Sequence, residues 1–129
     1  MPVAIDTSIL VHAEKFGGFE KMLPDDLIFY IPAHAAAEFL VGAHLPESAT
    51  LRERARRIYE TDYRRLVDSF EEADAAEMAA LLAELRRTGK TMGFFDAAIA
   101  ATALARGDSL LALDDDFDRL QDRLKLLKP

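Results

Sequence analysis

Short apolar runs alternate with longer segments of helical periodicity along the chain. The clearest apolar runs are Pro2 to Ile5, Leu27 to Ile31 and Leu110 to Leu113, and each stops at an aspartate or a proline. Unbroken apolar runs of this length are typical of strands that are buried on both faces, as in a parallel sheet. A weaker strand is predicted at Leu66–Val67 and an edge strand at Leu124–Leu127.

Helical patterns fill the intervals between these runs. Asp6, Thr7 and Ser8 provide N-cap chemistry before a first helix, which a pair of glycines ends at 17–18. Further helices are predicted at 33–43, 50–59, 71–87 and 96–106, with a helical turn at 117–120. The apolar face of the helix 71–87 is predicted to consist of Ala75, Met78, Ala79, Leu82 and Leu85. The alternation predicts an α/β fold with a mostly parallel sheet, and the length suits a single domain, 1–129.

The composition excludes several kinds of chemistry. The chain has no cysteine, so disulfides, thiolate catalysis and cysteine zinc sites are ruled out. Its three histidines, His12, His34 and His44, lack the paired spacing of a histidine metal site. A bound metal ion would therefore be a hard cation held by oxygen ligands, which favours Mg²⁺ or Mn²⁺ over Zn²⁺. Neither glycine-rich phosphate-binding motif is present in the sequence.

The charge is acidic overall but unevenly distributed. Sixteen basic and 23 acidic residues give a net charge of 16 − 23 = −7, which argues against nonspecific binding to duplex DNA. Residues 51–65 nevertheless carry six arginines against three acids, a local balance that suits a polyanionic substrate. No apolar run approaches the ~18 residues of a membrane span, and no basic segment precedes the first apolar run as in a secretory signal. The sequence thus predicts a cytoplasmic protein.

Acidic residues stand where parallel topology would bring strand ends and helix starts to one edge of the sheet. Asp6 directly follows the first strand, and it is either a metal ligand or only a helix N-cap. Asp96 lies in a first helical turn, where the helix dipole alone also favours an acid. Glu38 interrupts an apolar helical segment, where an unpaired carboxylate would be costly unless it faces solvent. The acids 114–116 form either part of a site or a solvated turn.

Four motifs in order resemble those of a known family. They are Ile5-Asp6-Thr7-Ser8, Glu38-Phe39-Leu40-Val41-Gly42, Asp96-Ala97-Ala98-Ile99-Ala100-Ala101-Thr102-Ala103 after Gly89-Lys90-Thr91-Met92-Gly93, and Leu111-Ala112-Leu113-Asp114-Asp115-Asp116-Phe117. Their order and spacing are similar to those of PIN-domain ribonucleases, specifically the VapC toxins of bacterial type II toxin–antitoxin pairs. The likeness covers nearly the whole chain, and residues 44–70 match poorly.

The resemblance implies a Rossmann-like, three-layer α/β sandwich of the PIN type, with helices on both faces of the sheet. It also implies an acidic centre for Mg²⁺ or Mn²⁺ that performs catalysis, formed by Asp6, Glu38, Asp96 and Asp114, with Asp116 as a fifth acid. Thr7 or Ser8 would support the site by hydrogen bonding. Asp115 departs from the family, which often has a basic or neutral residue there, so Asp114 and Asp116 both stay candidates for the fourth ligand.

The same resemblance implies a substrate and partners. The substrate would be RNA, cleaved by metal-assisted hydrolysis of a phosphodiester bond. Five arginines are candidates for phosphate contacts, or form only a solvated helix face: Arg52, Arg56, Arg57, Arg64 and Arg65. A cognate VapB-like antitoxin would cover the groove and insert an arginine or lysine among the acids. The family also implies a homodimer, which we place on the first helices around Phe16, Phe19, Met22 and Leu23.

Three alternatives belong to other functional classes. A non-catalytic PIN-like module would bind RNA or protein and keep its acids as structural caps. A phosphorylated receiver domain would need an acidic pair after the first strand, and a haloacid-type phosphatase would need Asp-x-Asp there. Asp6 is followed by Thr7 and Ser8 instead, which disfavours both of the latter.

Overall fold

A computed structural model describes residues 2–129, and in it a five-stranded sheet with only parallel pairings forms the centre of the molecule. The strands are β1 (Val3–Ile5), β2 (Phe29–Pro32), β3 (Val67–Asp68), β4 (Ser109–Leu111) and β5 (Leu126–Leu127). Their order across the sheet is β3-β2-β1-β4-β5. In the register of the central pairs, Ala4 lies opposite Tyr30 on one side and Leu110 on the other. The predicted parallel α/β fold is confirmed.

Six α-helices connect the strands. They are α1 (Thr7–Phe16), α2 (Phe19–Met22), α3 (Ala33–His44), α4 (Ala49–Ile58), α5 (Glu72–Arg87) and α6 (Phe94–Arg106). From β1 the chain moves to β2 and β3 in one direction, and then returns across the sheet to β4. Because crossover connections between parallel strands are right-handed, the two directions put helices on opposite faces of the sheet. The three-layer arrangement thus matches the prediction. None of the helices formed by residues 2–129 is long and apolar enough to cross a membrane.

The second strand begins later than the apolar run predicted. Leu27 and Ile28 are exposed, and the side chain of Ile28 is 73% accessible to solvent. The strand starts at Phe29 because its neighbour β1 provides pairing partners only from Val3 onwards. Of the apolar run Leu27 to Ile31, only Tyr30 and Ile31 are therefore buried.

The segment that follows α4 differs most from the prediction. The helix continues past Ile58 as a π-helical turn, Tyr59–Tyr63, and a 3₁₀ turn, Arg64–Leu66. The wider π turn accompanies burial of the Tyr63 ring, whose hydroxyl donates a hydrogen bond to the Leu10 carbonyl at 2.8 Å. The predicted strand Leu66–Val67 is consequently shifted by one residue, to Val67–Asp68.

The buried face of α5 is also rotated from the predicted one. Leu85 is buried as expected, but Ala75 and Ala79 are exposed, and Asp74 and Leu81 are buried instead. Asp74 is held inward because its carboxylate accepts hydrogen bonds from the Glu71 amide and from a guanidinium of α6. A polar interaction rather than apolar periodicity thus sets the orientation of this helix.

Helix α6 passes closest to the sheet. Its alanines at 97, 98, 100, 101 and 103 are buried, and Ile99 lies among them with no exposed surface. Alanine side chains add little width, so the helix backbone approaches β1 and β4 closely and its first turn reaches their carboxyl ends. The helix ends at Gly107, whose φ of 69° is in the left-handed region that glycine adopts readily. This packing fixes the position of Asp96.

Candidate active site

The topology creates a crevice between β1 and β4. These strands are neighbours in the sheet, but the chain leaves them in opposite directions, towards β2 and towards β5. In parallel α/β sheets, ligands bind at the carboxyl ends of such a strand pair, because the two connecting segments diverge there and leave an opening. Asp6 directly follows β1, and Asp114 lies three residues after β4. Both acids therefore flank the crevice.

A cavity of about 500 Å³ occupies this crevice and contains the predicted acids. We call it the acid cavity. It is lined by Asp6, Thr7, Ser8, Val11, His12, Lys15, Phe16, Glu38, Asp96, Leu113, Asp114 and Asp116. Five acids from four separate segments of the sequence are thus brought together. Asp115 is exposed, and its carboxylate lies 3.3 Å from the ammonium of Lys128.

Asp6 is both a helix cap and a candidate ligand. One carboxylate oxygen, Oδ2, accepts hydrogen bonds from the Ser8 amide at 3.1 Å and from the Ser8 hydroxyl at 2.6 Å. The other oxygen, Oδ1, is buried and accepts no hydrogen bond from the described residues. A buried carboxylate oxygen without a partner is costly and marks a place where a cation or a water molecule would bind. The capping interaction therefore uses only one of the two carboxylate oxygens of Asp6.

The two hydroxyl residues after Asp6 have different roles. The Ser8 hydroxyl accepts a hydrogen bond of 3.0 Å from the Leu113 amide while it donates to Asp6. It thereby connects the end of β1 to the loop that carries Asp114. The Thr7 hydroxyl instead donates to the Ala35 carbonyl of α3 at 3.4 Å. Ser8 therefore supports the acid cavity directly, and Thr7 joins two of its walls.

Two carboxylates of the acid cavity, Asp6 and Asp96, have a raised pKa. Burial raises the pKa of Asp6 to about 6 despite the two hydrogen bonds from Ser8, and the charges of Asp114 and Asp96 add to the rise. The pKa of Asp96 is also raised to about 6, first by burial and then by the charges of Asp116, Glu38 and Asp114, which Arg119 partly offsets. These mutual effects follow from carboxylates that lie close together. A bound cation would relieve this repulsion.

The loop after β4 contains two acids of the cavity, Asp114 and Asp116. Two polar contacts hold Asp114 in place. The Asp116 amide donates to Asp114 Oδ1 at 3.3 Å, and the ammonium of Lys128 contacts the Asp114 carbonyl. Both carboxylates line the acid cavity, so the structure leaves Asp114 and Asp116 equivalent as candidates for the fourth ligand.

The donor set fits a hard divalent cation, although the side chains do not yet form a coordination shell. Within residues 2–129, no three acidic or histidine side chains are close enough together to hold one ion as they stand. The acids are nevertheless all oxygen donors, and one buried oxygen has no partner, which suits Mg²⁺ or Mn²⁺. Coordination would require Glu38, Asp96 and Asp114 to turn towards Asp6.

The five predicted RNA-contacting arginines lie elsewhere. None of them is among the described residues that line the acid cavity. Arg52 donates to the backbone carbonyls of the loop before α4, and most of the others form local ion pairs: Arg56 and Arg57 with Glu53, and Arg64 with Glu60. Four of the five arginines are exposed, Arg52 is half-buried, and the contact of all five with phosphate stays a prediction.

Five residues that line the acid cavity were not predicted as site residues: the apolar Val11 and Leu113, and three charged or aromatic side chains of α1. His12, Lys15 and Phe16 line it from α1. They follow Ser8 by four, seven and eight positions, which is the spacing of side chains on one face of an α-helix. This spacing could have identified them once Ser8 had been placed at the site.

The apolar surface proposed for dimerisation is smaller than expected. The side chain of Phe16 is 74% exposed, but Phe19, Met22 and Leu23 pack against the hydrophobic core. Phe19 contacts the ring of Tyr63, with 5.1 Å between the ring centroids. Three of the four residues are therefore half-buried, and only Phe16 is exposed. A dimer interface on the first helices stays a prediction.

A comparison with family sequence models gives one match. The model of the PIN domain matches residues 3–123, which include all five acids of the acid cavity. No curated protein matches the chain.

Solved structures share the whole fold at low sequence identity. A chain of VapBC from Salmonella typhimurium, solved with bound DNA, is 22% identical and has a TM-score of 0.85, with 99% of this chain and 98% of that chain covered. A chain of VapBC2 from Rickettsia felis, bound to a DNA fragment from its promoter, is 19% identical with a TM-score of 0.83, covering 100% and 99%. A chain of VapBC-5 from Mycobacterium tuberculosis, a member of a toxin–antitoxin family, is 22% identical with a TM-score of 0.77, covering 98% and 96%.

Proposed function

The chain belongs to the PIN-domain family, as its motifs indicated, and we propose that it is a metal-dependent endoribonuclease toxin of the VapC type. The observation that carries the proposal is the acid cavity, where five carboxylates converge and no arginine is found among the described lining residues. A cluster of this kind is destabilising in a protein that does not use it, because the carboxylates repel. Its position at the crevice between β1 and β4 is where a ligand is expected.

The ligands of the ion would be Asp6, Glu38, Asp96 and Asp114 or Asp116, and these residues also form the catalytic set. When bound, Mg²⁺ or Mn²⁺ supplies an activated water molecule and neutralises charge on the scissile phosphate. The chain itself positions the donors. Ser8 orients Asp6 through two hydrogen bonds, and the alanine-rich packing of α6 holds Asp96 at the carboxyl ends of the strands.

RNA cleavage that depends on a divalent metal ion tests this proposal. We expect purified protein to cleave total RNA with Mg²⁺ or Mn²⁺, and EDTA to abolish the cleavage. Binding of RNA without cleavage under any metal condition would instead favour the non-catalytic PIN-like module. A mock purification of the Asp96→Asn variant controls for contaminating nucleases.

We further propose a VapB-like antitoxin as the partner that holds the enzyme inactive. An apolar groove of about 390 Å³ lies between α1, α3 and α4, and its walls include Phe39, Leu51 and Ala55. Val11 and Lys15 line both this groove and the acid cavity, so the two are adjacent. The structural neighbours were solved as VapBC assemblies, which supports an occupant of this kind. Apolar side chains of the antitoxin would fill the groove, and an arginine or lysine would enter the acid cavity.

Metal competition tests this mode of inhibition. A guanidinium pairs with carboxylates in a bidentate manner and would occupy the place of the metal. Mg²⁺ or Mn²⁺ should then relieve inhibition more than monovalent salt at matched ionic strength. Replacing the inserted basic residue with alanine should leave the complex assembled but restore part of the activity. Full inhibition by that variant, with the same metal response, would indicate steric covering of the groove instead.

Two further properties stay proposals. We expect the protein to act in the cytoplasm, where its RNA substrate is. We also expect a homodimer, although only Phe16 of the four predicted interface residues is exposed. Light scattering that gives the mass of a 14.4 kDa monomer at tens of micromolar would contradict the dimer.

A further inference from the structure

The outer face of α1 forms one wall of the acid cavity. His12, Lys15 and Phe16 all line it, and we call them the α1 strip. The rings of His12 and Phe16 are in contact, with centroids 4.8 Å apart and an angle of 48° between their planes. The side chain of Phe16 is 74% exposed although its neighbour supports one side of the ring. A supported aromatic ring therefore faces solvent at the rim of the cavity.

Lys15 is the one lysine or arginine among the described residues that line the acid cavity. It belongs to none of the ion pairs found within residues 2–129, even though five acids line the same cavity. Its place in the last turn of α1 is compatible with the helix dipole. The helix dipole does not explain why Lys15 lies beside the acid cavity. Because Lys15 forms no ion pair within the described residues, its charge is available to a ligand.

We propose that the α1 strip binds the nucleotide next to the scissile phosphate of a single-stranded RNA. Lys15 would contact the flanking phosphate, and Phe16, supported by His12, would stack on the base. This inference rests on the proposed function, since it takes the acid cavity as the place of cleavage. It adds the residues that hold the RNA beside the place of cleavage.

The choice of single-stranded RNA follows from the charge and the exposed ring. Beside the acid cavity, phosphate contacts alone would hold RNA weakly, since Lys15 is the one lysine or arginine among the described lining residues and five acids line the same cavity. Stacking on an aromatic ring adds affinity that does not depend on charge, and any base can take part. Bases inside a duplex are already stacked and paired, so Phe16 can reach only an unpaired base.

Binding measurements on variants test the α1 strip. The parent protein would be the Asp96→Asn variant, which should bind no divalent metal ion and should not cleave. The probes would be fluorescein-labelled oligo(A) and oligo(U), with binding followed by anisotropy. The variants would be Phe16→Ala and Phe16→Trp, and Lys15→Ala and Lys15→Arg.

Leu45→Ala provides a control because Leu45 is equally exposed, at 74%, and lies outside the acid cavity. Lys125→Ala controls for the loss of one exposed positive charge.

The two residues should give different signatures. Phe16→Ala should weaken binding about tenfold with no change in its salt dependence, and Phe16→Trp should bind at least as tightly as the parent. Lys15→Ala should lower the slope of log K against log salt by about 0.7, the value for one phosphate contact on a single strand, and Lys15→Arg should keep the slope. Both control variants should bind as the parent does. In the cleaving protein, the same losses should appear mainly in KM.

The outcomes separate this inference from the proposed function. Unchanged binding by Phe16→Ala and Lys15→Ala would overturn the α1 strip, while metal-dependent cleavage by the wild type would leave the proposed function intact. Binding that depends on Phe16 without any cleavage by the wild type would support the strip and overturn the nuclease. A parent that binds neither RNA would overturn the strip. Phe16→Ala that converts a dimer to a monomer with unchanged RNA affinity would also overturn it and assign this face to self-association.

Discussion

Both ends of α6 lie among acidic residues, but within residues 2–129 only the acids at one end form ion pairs. At the carboxyl end, the Arg106 guanidinium pairs with Asp68 at 2.9 Å and with the buried Asp74 at 3.0 Å. It also lies 5.0 Å from the ring centroid of Tyr30, whose hydroxyl donates to Asp108 at 2.8 Å. We call these five residues the Arg106 cluster. At the amino end, roughly 20 Å away along a helix of 13 residues, Asp96 shares the acid cavity with four other acids.

The difference separates structural acids from functional ones. In the Arg106 cluster, the charge of each buried group is satisfied within the chain, and Asp74 additionally caps α5 through the Glu71 amide. In the acid cavity, Asp6 keeps an oxygen without a partner among the described residues, and burial together with neighbouring acids raises the pKa of both Asp6 and Asp96. A fold does not retain such repulsion for stability, so the missing cation is expected to come from outside.

The largest effect is expected on RNA cleavage, when one acid near each end of α6 is replaced in separate variants. Asp96→Asn keeps the size of the side chain but removes a predicted metal ligand, so RNA cleavage should fall by roughly 10²–10³-fold or more. Asp74→Asn, the matched change in the Arg106 cluster, should leave cleavage intact at temperatures where the protein stays folded. Single-turnover cleavage assays would measure both. Equal activity of the two variants would remove Asp96 from the site, and Glu38→Gln should behave as Asp96→Asn does.

The second effect concerns stability. A change in the Arg106 cluster should destabilise the protein and leave cleavage unchanged. Arg106→Ala leaves Asp74 buried without its ion-pair partner, so the free energy of unfolding should fall by about 3 kcal/mol. Cleavage per folded molecule should not change, since the Arg106 cluster lies outside the acid cavity. Urea denaturation and activity would be measured on the same preparation. A variant that is fully stable would show that this cluster contributes nothing to the fold.

A smaller effect is expected from the support of Asp6. Ser8→Ala removes the hydroxyl that donates to Asp6 and accepts from the Leu113 amide, so affinity for Mg²⁺ should fall about tenfold. Ser48→Ala is the matched control, because Ser48 caps α4 by accepting from the Leu51 amide at 3.3 Å. The control should lose up to about 1 kcal/mol of stability and keep its metal affinity. Equal metal affinity in both variants would reduce Ser8 to an ordinary cap residue.

The smallest effect is a pH dependence of the metal-free protein. The pKa of Asp96 is raised from 3.8 to about 6 in the folded state, so the folded protein binds the proton more tightly than the unfolded chain. Stability should therefore be greater below pH 4 and decrease as the pH rises towards 6. Removing this acid by Asp96→Asn should stabilise the metal-free protein at pH 7 by about 1 kcal/mol, after allowance for screening by solvent, and have no such effect at pH 4. Thermal melts in EDTA would reveal the difference, and Mg²⁺ should abolish it.

The acid cavity was more predictable from sequence than the surfaces around it. Strand ends and helix starts are marked by abrupt changes from apolar to acidic residues, as at Asp6 and Asp96, and parallel topology then brings them to one edge. All five predicted acids consequently line the cavity. Their roles as ligands stay predictions, since position alone does not establish coordination.

Features that depend on polar contacts between distant segments were not predictable. The orientation of α5 depends on Asp74 meeting Arg106, which lies 32 positions away. The π-helical turn depends on Tyr63 reaching the Leu10 carbonyl, which lies 53 positions away. Apolar periodicity contains no information about either partner.

Calorimetric titration of Mn²⁺ into the metal-free protein tests the central claim, that the acid cavity is a site for a hard cation, most directly. The titration would be performed at pH 6 in buffers of different ionisation enthalpy. Because the pKa values of Asp6 and Asp96 are both about 6, saturable binding should release protons, which appear as a heat that depends on the buffer. The binding should disappear in Asp96→Asn and persist in Asp74→Asn. Absence of binding by the wild type, or equal binding by both variants, would contradict the account.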